Sequence, residues 1–145
     1  MKNSKRVVVY FFRIVFFSFI IFISSTLKTV AGDWLAPVSS SSLINPLKND
    51  VGAIAEGKKT YVHLCVVCHG DKGRGDGLAG MALTPRPANL TISKVQSQTD
   101  GALFWKITNG RPPMAAYQQS LSETQRWQLV NYIRTFGTLN KPKKK

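Results

Sequence analysis

Disulfide chemistry has almost no material in this sequence. Its 145 residues include two cysteines, Cys65 and Cys68, too few for the cross-linked frame that staples small exported domains. Histidine is equally scarce, with only His63 and His69. A structural zinc site needs four ligands, and His63, two positions before Cys65, is a poor fourth. Acidic residues are few: 7 Asp and Glu face 20 Lys and Arg, for a net charge of +13. No segment sustains strand-like alternation, and no internal repeat is found.

The charge is unevenly placed. Lys2, Lys5, Arg6, Arg13 and Lys28 precede the first acid, Asp33, and their removal leaves 15 basic residues against 7 acidic. Lys141, Lys143, Lys144 and Lys145 form a basic tail over residues 139–145. Such a surface suits nucleic acid, anionic lipid or an acidic protein, and charge alone does not choose among them.

A basic start runs into Val7 to Ile23, apolar except for Arg13 and Ser18, and Thr29-Val30-Ala31 or Val30-Ala31-Gly32 offers a small-residue cleavage site. Residues 1–32 therefore read as a signal peptide or as a retained N-terminal membrane anchor. The run barely reaches the ~17–25 residues of a spanning helix, and Arg13 interrupts it at a cost of about 2.5–3.5 kcal/mol at a helix centre. Both readings place the remaining chain outside the cytoplasm. Residues 33–49, with Ser39 to Ser42 between Pro37 and Pro46, read as a flexible Ser/Pro linker, and residues 50–138 as the domain.

The decisive motif is Cys65-Val66-Val67-Cys68-His69. Thiols three residues apart can add to the two vinyl groups of one haem, and the adjacent imidazole then faces the iron. A thioredoxin-like Cys-x-x-Cys would follow a strand, whereas the residues before Cys65 are helical in pattern. Asn49 or Asp50 caps a helix over residues 51–64, with Ile54, Gly57, Tyr61 and Leu64 on one face. A second helix spans residues 100–108 and stops at Gly110. A third opens on a Ser122-Glu123-Thr124-Gln125 capping box, carries Trp127, Leu129, Val130, Tyr132, Ile133 and Phe136, and closes at Gly137. Gly57 within a helix predicts close approach by another one.

Gly57, Tyr61 and Cys65, each four apart, together with the haem motif and the pair Leu129 and Tyr132, resemble the class I, mitochondrial-type, cytochrome c family in its monohaem bacterial periplasmic form. The resemblance covers residues 50–136. It implies an all-α fold of about three to five short helices around one covalent haem c. It also implies thioethers at Cys65 and Cys68, His69 as the proximal iron ligand, and a haem pocket that includes Tyr61, Pro87 and Leu90. In the family a proline carbonyl orients the proximal histidine; Pro87 is the first choice here and Pro85 the second.

For the distal side of the iron, His63 lies beside the motif and Met81 is close after His69. Met114, in Asn109-Gly110-Arg111-Pro112-Pro113-Met114, stands where the family places its ligand, although Ala115 replaces the proline that often comes next. The rival reading is that Met114 packs as core. Gly70 to Gly77 lacks the signatures of a calcium loop, a phosphate loop or a dinucleotide loop and reads as a flexible turn. Together these residues predict a non-enzymatic, one-electron carrier in the periplasm, soluble or tethered by its N-terminus. Its partners are redox proteins with acidic faces, met by Lys72, Arg74, Lys106 and Arg111, and not nucleic acid. The alternatives are a haem protein with an open distal site for gas or peroxide, or a haem subunit of a larger respiratory complex.

Overall fold

The structure, a computed structural model, describes residues 33–138; the signal or anchor at residues 1–32 and the basic tail lie outside the described residues. Among the described residues there are five α-helices and no strand. They are α1 (Val51–Leu64), α2 (Val66–His69), α3 (Ser93–Gln96), α4 (Asp100–Asn109) and α5 (Glu123–Thr138), with 3-10 turns at Val38–Ser42 and Gly80–Ala82. The all-α fold is as expected.

Local chemistry sets the helix starts. Asp50 Oδ1 accepts the Ala53 N–H at 3.0 Å and begins α1. Thr99 Oγ1 accepts the Ala102 N–H at 3.1 Å and begins α4. Ser122 and Gln125 exchange bonds, Gln125 N–H to Ser122 Oγ at 3.2 Å and Ser122 N–H to Gln125 Oε1 at 2.9 Å. This reciprocal cap satisfies two donors that the first turn of α5 leaves orphaned.

Packing is organised around the crossing of α1 and α5. A Cβ on Gly57 would collide with the Gln128 carbonyl of α5, so the two backbones meet only because this residue has no side chain. On either side Tyr61, Trp127, Leu129, Val130 and Phe136 are buried, each such side chain contributing about 1.5–3 kcal/mol. Phe104 of α4 stacks on Trp127 with centroids 4.0 Å apart, bringing α4 into the same core.

Two local expectations fail. α5 does not stop at Gly137 but continues to Thr138, and Gly137 instead gives room to the Gln96 side chain. The stretch read as a flexible linker is folded onto the domain. Ser40 and Ser42 hydroxyls donate to the carbonyls three residues back, at 2.7 and 2.8 Å, and hold a 3-10 turn. Asn45, buried, donates to Asn131 Oδ1 at 2.7 Å and Asp100 Oδ2 at 3.0 Å. Serines that bond their own backbone make a turn rather than a tether, and the buried Asn45 fastens it.

Candidate haem site

The motif begins where α1 ends. Cys65 N–H donates to Tyr61 O at 2.8 Å, and the Cys68 and His69 N–H groups both reach Cys65 O, at 3.1 and 2.8 Å. This helical turn puts Cys65 and Cys68 on one face, both thiols free and half-buried. Burial, with Cys68 beside it, pushes the Cys65 thiol up to about 12, so at neutral pH it is protonated and slow to oxidise.

The glycine-rich stretch is not the loose turn expected from its composition. Gly75 N–H donates to His69 O at 2.9 Å, Gly77 N–H to Cys68 O at 3.2 Å and Ala79 N–H to Val67 O at 2.9 Å, lacing the loop onto the carbonyls of the motif. Gly75 has φ +75°, and a Cβ there would strike the Pro87 carbonyl. That close approach brings residues 87 and 88 beside the histidine.

The carbonyl on His69 is that of Ala88, not of Pro87 or Pro85. His69 Nδ1–H donates to Ala88 O at 3.3 Å; the Pro87 carbonyl is turned toward Gly75. Because a carbonyl only accepts, the proton resides on Nδ1 and the Nε2 lone pair is left for a metal. Burial lowers the His69 pKa, partly offset by the Ala88 bond, which keeps the ring neutral and able to ligate.

The remaining expected residues fall in two groups. Tyr61 and Leu90 are in the core: Tyr61 Oη–H donates to Gly70 O at 2.8 Å, and its ring packs on Tyr132 and Phe136 at 5.2 and 5.3 Å. Burial, then the charge of Cys65, raises the Tyr61 pKa, so it remains a hydrogen-bond donor. Leu90 N–H donates to Gly73 O at 2.6 Å. Met114 is half-buried against the core, and it exchanges both backbone hydrogen bonds with Arg111, at 2.8 and 3.1 Å. Met81 is half exposed and His63 is exposed.

Tyr117 escaped the sequence reading. Its N–H is held by Ile107 O at 3.1 Å, and its hydroxyl reaches Leu64 O at 3.5 Å, linking the Met114 loop to the end of α1. Its pKa is raised by burial and then by the charges of Cys65 and Cys68. An aromatic three residues after Met114 was the available signal.

Residues 52–133 match the family described as cytochrome c oxidase, cbb3-type, subunit III. The chain belongs to this family. A cbb3-type cytochrome c oxidase subunit CcoP from Azospirillum sp. (strain B510) is 28% identical over 95 residues, covering 65% of this chain and 32% of that protein. A chain of the reducing HAO-like protein complex Kustc0457/Kustc0458 from Kuenenia stuttgartiensis superposes with a TM-score of 0.57 at 28% identity, covering 66% of this chain and 48% of that one. The KustC0563 c-type cytochrome gives a TM-score of 0.48 at 25% identity, over 55% of this chain and 95% of that one. This chain thus spans about a third of its curated relative and about half of the Kuenenia chain.

As a class I c-type cytochrome, the protein takes haem c as its covalent, iron-bearing group, and the site fits it. Two unpaired thiols share a face, a neutral imidazole is oriented through Nδ1, and apolar side chains in and beside the motif lack cover: Leu64, Val67 and Met81 are 40%, 54% and 50% exposed. Together the thiols, the oriented imidazole and this apolar edge supply the attachment, the ligand and the contact surface that a covalent haem c would need.

Proposed function

We propose that this cytochrome is a one-electron carrier outside the cytoplasm and not an enzyme, its haem held by thioethers to Cys65 and Cys68, by His69 Nε2 and by the Met114 sulfur. The observation that carries the reading is the Ala88 bond to His69 Nδ1, which fixes the tautomer that a proximal ligand needs. When bound, haem c supplies a ferric–ferrous couple. The chain's residues do the rest: the thioether sulfur favours the ferrous state, and two protein ligands leave no coordination position for a substrate. Tyr61 and Leu90 wall the pocket from the core side.

Export is supported by the basic, apolar start and by the placement of a covalent haem outside the cytoplasm in this family; the segment is either cleaved or kept as a tether. The partners are redox proteins with acidic faces, for which Lys72 and Arg74 are exposed on the loop behind the motif. The name of the curated relative favours a second form of the same reading, in which this chain is the haem subunit of a respiratory assembly rather than a free shuttle.

The test is optical. The ferric protein should show a long-wavelength sulfur-to-iron band that Met114→Ala abolishes, and the ferrous protein should take up carbon monoxide only after that substitution. Ready carbon monoxide binding by the unmodified protein would establish the open-site haem protein instead.

A further inference from the structure

Trp34 lies outside the residues matched by the family, yet its indole meets two cations from two different elements. Lys106 Nζ of α4 is 5.4 Å from the ring centroid, and the Arg111 guanidinium is 5.3 Å from it. Both distances are within the range in which the negative face of an aromatic ring attracts a cation, and tryptophan attracts best. Both cations belong to the stretch that delivers Met114. Gly110 N–H closes α4 on Lys106 O at 2.9 Å, Arg111 comes directly after, and Arg111 exchanges both backbone bonds with Met114. Lys106 Nζ is further held by Gln98 Oε1 at 2.6 Å.

The ring is itself anchored. Four residues on, the chain enters the Val38–Ser42 turn against α4, and Asn45 then ties it to Asp100 of α4 and Asn131 of α5. An aromatic ring carried on a fixed strap therefore holds both ends of the segment Lys106 to Arg111, and Arg111 is hydrogen-bonded to the backbone of Met114.

We infer that Trp34 is a positioning residue for Met114, bracing the ligand loop from outside so that the sulfur stays on the iron. This rests on the proposal that Met114 is the distal ligand. Departure of the sulfur admits external ligands, so the brace sets how fast cyanide enters the ferric protein. Lys106 and Arg111 keep their charges while facing the indole, and Arg111 remains exposed.

The experiment uses the full chain matured with haem. In Trp34→Leu the ferric protein should keep its sulfur-to-iron band but bind cyanide about fivefold faster, the equivalent of about 1 kcal/mol of lost cation–π contact. Trp34→Phe, with a weaker ring, should fall between the two. Arg111→Gln should also accelerate cyanide, and the two changes combined should do less than their product, since they remove one shared contact. Val95→Ala, in the core away from this loop, should lower the melting temperature without changing the cyanide rate, which separates bracing from general stability. A band missing from the unmodified protein would remove the Met114 reading and this inference with it. A band that is present, with Trp34→Leu binding cyanide at the unmodified rate, would overturn this inference alone.

Discussion

The two ends of α1 are built on opposite principles. At Gly57 the helix meets α5 backbone against backbone, with Leu129 and Val130 almost wholly buried beside it; this contact is complete in polypeptide alone. At Leu64 the same helix runs into the haem motif, where Leu64 and Val67 remain exposed, the thiols are unpaired and His69 has one nitrogen engaged and one free. One end is an interface of polypeptide with polypeptide, and the other carries the thiols and the oriented imidazole that would hold haem c. A small domain can depend on a prosthetic group for much of its core only if some protein–protein contact already fixes where that core must form.

The largest effect should come from the motif end. Cys65→Ser with Cys68→Ser removes both attachment points while leaving the helical turn intact. Intact mass should show no bound haem, and the sharp thermal transition should give way to a broad, non-cooperative one. If the double variant kept the full helical circular dichroism and a sharp melt, the motif end would not depend on its prosthetic group and the contrast between the two ends would be void.

Gly57→Ala tests the crossing end. The new methyl group would meet the Gln128 carbonyl, which is backbone and cannot swing aside. A clash with backbone lies in the upper part of the overpacking range, about 2–3 kcal/mol, against which alanine returns about 1 kcal/mol of helix propensity. A net loss of about 1–2 kcal/mol in chemical denaturation is expected, with haem still attached. A neutral or stabilised variant would mean that the helices cross less closely.

These two ends were also unequally legible in the sequence. Asp50, the Ser122–Gln125 box and the buried face of α5 could be read because each depends on neighbours within a few residues. The spacing of Gly57, Tyr61 and Cys65 exposed the crossing because glycine in a helix is costly unless something needs the room. The motif itself declared the cofactor. What could not be read depends on partners far along the chain. The choice of Ala88 over Pro87 on His69 is settled by how the loop at Gly75 lies against residue 87. The strap at residues 37–47 looks like a tether by composition, and only Asp100 and Asn131, 55 and 86 positions later, make Asn45 a fastening. Gly137 looks like a stop signal until Gln96 is seen packed against it.

The strap offers the smallest and most selective effect, through pH. Burial works to raise the Asp100 pKa, but hydrogen bonds from Asn45 and Arg134 and the Arg134 charge outweigh it and hold the carboxyl below its ordinary value. Arg134 Nε donates to Asp100 Oδ1 at 2.7 Å, while its terminal nitrogens bond the Gln96 and Gln98 carbonyls at 2.8 and 2.6 Å. A carboxylate more acidic in the folded than in the unfolded chain contributes its full stability above the unfolded value of ~3.9. That contribution disappears as pH falls through the lower, folded value. Asp100→Asn should therefore cost about 1–2 kcal/mol at pH 7, where charge-assisted hydrogen bonds are lost. The gap from the unmodified protein should close below about pH 4, as the native carboxyl takes up its own proton. Melting curves of both proteins across that range, haem attached throughout, provide the check; a gap that stayed constant down to acid pH would mean that Asp100 contributes through packing and not through its charge.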